Sequence, residues 1–159
     1  MSNAAVAAES GFKKYVPGQA KRSGRMDLFK RLGLPSRGEP LTRAVYEGFP
    51  VAVLKRLAGE LDAPQKMVLL AVGIAPATLK RRRESGHLSR AESDRVYRLT
   101  NIFQQATQLF EGNSAMARQW LEQSAKALGG RTPMEYLETE AGANEVEDLI
   151  GRLEHGVIA

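Results

Sequence analysis

Apolar residues return along this chain at three- and four-residue intervals rather than in strict alternation, so the pattern predicts helices over sheet. The clearest run starts at Val51. Val51, Leu54, Leu57 and Leu61 fall on one helical stripe that has to be buried. Asp62 and Pro64 restart the chain, with Pro64 suited to an early helical position where its missing amide hydrogen costs nothing. The helix that follows places Met67, Leu70 and Ala71 inward and stops near Gly73. Upstream, residues 26–32 predict a short helix ended by Gly33 and Pro35, and residues 41–47 another before Gly48-Phe49-Pro50.

Downstream of Gly73, Pro76-Ala77-Thr78-Leu79 opens a further helix, which Ser85-Gly86 closes. Ser89 and Glu92 then have the spacing of a capping box, in which the hydroxyl accepts the third amide while the carboxylate reaches back. The helix they start is long: Val96, Leu99, Phe103, Ala106 and Phe110 keep one apolar face until Gly112-Asn113-Ser114. Residues 114–121 predict another helix, with Trp120, the only tryptophan, as a core anchor. After a loop at Leu128-Gly129-Gly130, Thr132 is placed to cap a short helix with Pro133 at its first position and Glu135 three residues past the cap. Gly142 is expected to break that helix and free the last one. There Val146, Leu149, Ile150 and Leu153 line one face before Gly156 stops it.

The predicted class is therefore all-α, and 159 residues suffice for two small helical domains sharing a core. Three regions are expected: a basic arm over residues 1–24, a helical domain over 25–112 and a smaller one over 113–159. The arm mixes Ala, Ser, Gly and Lys without helical periodicity and is expected to stay disordered until something binds it. Zero cysteines exclude disulfides, thiolate metal sites and a cysteine nucleophile. His87 and His155 alone make a histidine metal cluster improbable, so no metal and no cofactor is expected. No stretch approaches the roughly 20 apolar residues of a membrane span, which points to a cytoplasmic protein.

The net charge of +5 matters less than its polarity along the chain. Lys80 to Arg83 with Arg90, Arg95 and Arg98 make a basic middle, whereas Glu135, Glu138, Glu140, Glu145, Glu147 and Asp148 make an acidic end. The helices on either side of Gly73 have the proportions of a helix-turn-helix, with Leu69 and Leu79 at its inward positions. Such motifs generally carry Ala where Leu69 stands. Thr78, Lys80, Arg81, Arg82 and Arg83 then lie on the second helix, where hydroxyls, ammonium and guanidinium groups meet bases and phosphates. Four successive basic residues span more than one helix face, so some contact backbone rather than bases. One such domain binds DNA weakly, and a homodimer reading two half-sites is implied. An enzyme is disfavoured. No catalytic residue is assigned, because Glu92, Asp94 and Glu138 are expected on exposed charged faces without a phosphate-cradling loop.

Leu79-Lys80-Arg81-Arg82, Glu92-Ser93-Asp94-Arg95, Trp120-Leu121, Leu128-Gly129-Gly130-Arg131-Thr132-Pro133, Thr139-Glu140-Ala141-Gly142-Ala143 and Arg152-Leu153-Glu154-His155-Gly156 are each weak signals. In this order and spacing the chain resembles the MbcA/ParS/Xre antitoxins of bacterial toxin-antitoxin operons, over roughly residues 50–159. Where that family usually has proline soon after Trp-Leu, this chain has Gln123-Ser124-Ala125.

The resemblance implies an Xre-like helix-turn-helix domain followed by a toxin-binding domain, with operator DNA and a RES-domain toxin that breaks down NAD as partners. On it rests the expectation that Arg152, Glu154, His155, Val157, Ile158 and Ala159 form the toxin-binding segment and occlude the toxin's active site. A higher toxin-antitoxin complex is expected with it. The alternative is a stand-alone helix-turn-helix regulator whose last domain dimerises or senses a ligand.

Overall fold

The computed structural model describes residues 27–156. The expected arm over residues 1–24, and Val157, Ile158 and Ala159 at the other end, lie outside the described residues. The described elements are α1 (Leu28–Arg31), α2 (Gly38–Glu47), α3 (Val53–Leu61), α4 (Gln65–Ala71), α5 (Pro76–Ser85), α6 (Arg90–Leu109), α7 (Ser114–Glu122), a 3-10 turn (Lys126–Leu128), α8 (Pro133–Tyr136) and α9 (Glu140–Glu154). Among the described residues there is no strand, only an isolated antiparallel bridge between Pro50 and His87. The fold is all-α. Two compact units divide between Thr100 and Asn101, inside α6. Gly112 belongs to the turn that separates α6 from α7.

In the first unit, Leu54, Leu57 and Leu61 of α3 are buried as their spacing predicts, joined by Val53 and Ala58. Val51 stays half-buried, two residues ahead of Val53, where α3 begins. Phe49 is fully enclosed, and its amide donates to Ser93 Oγ at 2.8 Å while its carbonyl accepts from the Leu88 amide at 2.8 Å. The α5–α6 connection is thereby pinned to the strand-like entry into α3. Asp62 ends α3 in the left-handed conformation with φ 49°, and Pro64 stands just ahead of Gln65 rather than inside the helix.

α4 departs from its predicted phase. Leu70 is 67% exposed, and Met67 is half-buried, while Val68, Ala71 and Val72 turn inward. Six apolar residues in a row, Met67 to Val72, leave the phase of so short a helix undefined by pattern. Tertiary packing selects the Val68–Ala71–Val72 side. Gly73 makes the turn with φ 66°, a conformation that other residue types adopt at a cost, and Leu79 of α5 is buried beyond it.

In the second unit, Ile102, Phe103, Ala106 and Leu109 of α6, with Phe110 just past its end, are buried with Ala117, Trp120 and Leu121 of α7. Asn113 caps α7, its Oδ1 accepting the Met116 amide at 3.1 Å. Thr132 and Glu135 complete the predicted capping box at α8 in both directions, at 3.1 and 2.8 Å. Pro133, Leu137 and Leu128 add to this core, and α8 packs on both α7 and α9.

The expected break at Gly142 is corrected. α8 ends by itself at Tyr136, Thr139 caps α9, and Gly142 lies inside the first turn of α9 with its amide donating to Thr139 Oγ1 at 3.0 Å. A Cβ at Gly142 would come within 2.0 Å of the Tyr136 carbonyl oxygen. The glycine is there because two backbones meet, not because a helix stops. From that start α9 buries Ala143, Val146, Leu149 and Ile150, with Leu153 half-buried.

Candidate nucleic-acid interface and partner-binding segment

α5 begins at Pro76 after Ala75, which offers no side-chain cap, and its middle is almost entirely basic. Stepping about 100° per residue, Leu79 and Arg82 lie toward the domain while Lys80 and Arg81 lie away from it. The exposures agree: Lys80, Arg81 and Arg83 are exposed, and Thr78 is half-buried with its hydroxyl 3.4 Å from Arg81 Nη2. These four residues present one hydroxyl and three exposed cations, a set able to meet phosphates and base edges.

Arg82 is different. Its Nε donates to Glu92 Oε2 at 2.8 Å and its Nη2 to Oε1 at 3.0 Å, a two-armed fork onto a buried carboxylate. Glu92 Oε2 also accepts the Ser89 amide at 2.8 Å, closing the predicted capping box from the carboxylate side. Burial pushes the Glu92 carboxyl up, but hydrogen bonds and charge from Arg82, with the Ser89 bonds, outweigh it and hold the group below the usual carboxylate range. The expectation that Glu92 sits on an exposed face is therefore corrected: it is a buried anion whose oxygens are taken by Arg82 and Ser89. Asp94 and Glu138 are exposed as expected.

One turn further along α6, Arg95 Nε donates to the Val72 carbonyl at 2.6 Å, on the residue that ends α4. Sequence reasoning missed this contact and the Arg82 fork. Their partners lie 23 and 10 residues away, beyond any local periodicity.

The second candidate region ends α9. Arg152 is exposed in the last turn, Glu154 is half-buried, and His155 is exposed at the C-cap with its amide bonded to the Gly151 carbonyl at 3.1 Å. Gly156 follows with φ 79°. Arg152 and Glu154 are two residues apart on a helix and so project from different sides. Val157, Ile158 and Ala159 continue this segment outside the described residues. A groove of about 260 Å³ lies by the start of α9, beside Tyr136 and Gly142, and none of the candidate residues lines it. Among the described residues no cluster of His, Asp and Glu is placed to hold a metal ion, and no helix is long and apolar enough to cross a membrane.

Fold and sites together define a helix-turn-helix protein with an appended helical binding domain. Residues 40–101 match the family model described as the antitoxin Xre-like helix-turn-helix domain, and residues 105–156 that of the antitoxin Xre/MbcA/ParS C-terminal toxin-binding domain. The chain is 41% identical over 134 residues to Antitoxin Xre of Yersinia enterocolitica, covering 83% of this chain and 90% of that protein. It is 33% identical to Antitoxin Xre of Photorhabdus laumondii with the same coverage, and 29% identical to that of Pseudomonas putida over 96% of this chain and 91% of the relative. The chain belongs to the Xre/MbcA/ParS antitoxin family.

Proposed function

We propose that this chain is the antitoxin of a type II toxin-antitoxin pair, acting in the cytoplasm, that neutralises an NAD-degrading RES-domain toxin and represses its own operon. The observation that carries the reading is the match of one chain to both a helix-turn-helix antitoxin domain and a toxin-binding domain. On the DNA side, Thr78, Lys80, Arg81 and Arg83 contact the operator, and a homodimer engages two half-sites about one helical turn apart.

On the toxin side, residues 152–159 cover the active-site entrance. A site for the NAD pyrophosphate needs arginine, and the Glu154 carboxylate pairs with it while Val157 and Ile158 fill apolar space. Arg152 pairs with a toxin carboxylate at the rim, and His155 closes the helix behind the segment. Support comes from α9: a helix with Val146, Leu149 and Ile150 buried keeps its end in a fixed direction, which lowers the entropy lost on binding. Inhibition is by occlusion, and the chain itself turns over nothing.

The test is a deletion of residues 152–159, co-expressed with the product of the neighbouring gene. Cellular NAD should fall with the truncated chain and hold with the full one, while binding to promoter DNA is unchanged. Full protection of NAD by the truncated chain rejects the occlusion model, and absence of a second polypeptide in native pull-downs favours the stand-alone regulator.

A further inference from the structure

Resting on the reading of α5 as the DNA-contacting helix, we infer that Glu92 and Arg95 form a clamp on one turn of α6 that positions the helix-turn-helix, and that Arg82 serves DNA binding through this clamp rather than by touching DNA. The two residues are three apart and so share a face of α6. Glu92 takes hold of the last turn of α5 through Arg82, and Arg95 takes hold of the end of α4 through the Val72 carbonyl. The two helices of the motif are thus tied at their C-terminal ends to the same neighbouring turn.

The bonds are of the kind that fix direction. Both arms of the Arg82–Glu92 fork are planar and charge-assisted, and the side chains are 28% and 6% exposed. Glu92 cannot swing to solvent, since its Oε2 is also bonded to the Ser89 amide. Arg95 lies against the turn, its Nε 3.6 Å from where a Cβ of Gly73 would stand. Apolar contact under α5 is thin, because Leu79 is its only buried residue. A helix held by one leucine needs another constraint to keep its cations aimed, and the clamp supplies it. Lys80, Arg81 and Arg83 keep the exposed positions, and Arg82 is spent inward.

Anisotropy titrations of the full chain against a labelled duplex from upstream of its own coding sequence test this, with helical content checked by circular dichroism at the assay temperature. Removing a negative charge near DNA strengthens binding by electrostatics alone. The clamp requires the opposite sign: Glu92→Gln, which preserves the capping box, should weaken binding by about tenfold. Arg82→Lys keeps the charge and loses the fork, and should weaken it comparably. The double variant should be no weaker than the worse single one.

Several outcomes overturn the clamp. Wild-type affinity in Arg82→Lys means that Arg82 is a point charge on a phosphate. Unchanged or tighter binding in Glu92→Gln, or additive losses in the double variant, means that Arg82 reads DNA directly. Lys80→Ala and Arg81→Ala separate the two levels: if they weaken binding and the clamp variants do not, the clamp alone fails. If none of the four changes binding, the DNA reading of α5 fails with it.

Discussion

α5 and α9 are both regular helices that present charged residues, yet they are held by opposite means. α9 is held along its length by buried apolar residues and begins against backbone at Gly142. α5 has one buried leucine and a fork of charge-assisted bonds at its last turn. The difference teaches that an apolar stripe orients a whole helix irrespective of pH, whereas an ionic clamp orients one end and depends on the protonation of its carboxylate.

The widest separation between the two should come from Gly142→Val. Its Cβ has no room beside the Tyr136 carbonyl, so the C-terminal unit should lose about 3 kcal/mol or more, seen in the unfolding transition, with toxin protection lost. Promoter binding should persist, because α4 and α5 belong to the other unit. Truncating the stripe itself with Leu149→Ala should cost about 2–4 kcal/mol in the same transition. Loss of a single cap is smaller: Thr139→Ala frees the Gly142 amide and should cost about 1 kcal/mol.

The pH response sharpens the contrast. Glu92 is held below the ordinary carboxylate range in the folded chain, so the stability it contributes is complete above that range and is lost as pH falls through its depressed folded value. Acid titration of the melting temperature should therefore show a component that Glu92→Gln removes and Leu149→Ala leaves in place. The smallest effect is expected at Arg43→Ala. Its pairing with Glu39 is between exposed groups one turn apart on α2, and no change in melting temperature should be measurable.

Much of this was legible in the sequence where the signal is local. Both capping boxes, the long stripe of α6, the turn at Gly73 and the stripe of α9 follow from spacings of three and four residues. Legibility failed where a partner is distant or where too many residues are apolar. Leu70 was expected inside and is outside because the run from Met67 to Val72 carries no phase. Gly142 was misread because a glycine that admits a neighbouring backbone looks, in sequence, like one that ends a helix. In sequence Glu92 reads as a capping residue on an exposed face and Arg82 as a DNA contact, and only the fold brings them together.

Hydrogen exchange on the full chain, alone, with promoter duplex and with the neighbouring gene product, tests the division of labour most directly. DNA should slow exchange in α5 and leave α9 as it was, while the toxin should slow exchange from Arg152 onward and leave α5 as it was. Protection of α5 by the toxin, with residues 152–159 exchanging at the rate of the free chain, would contradict it.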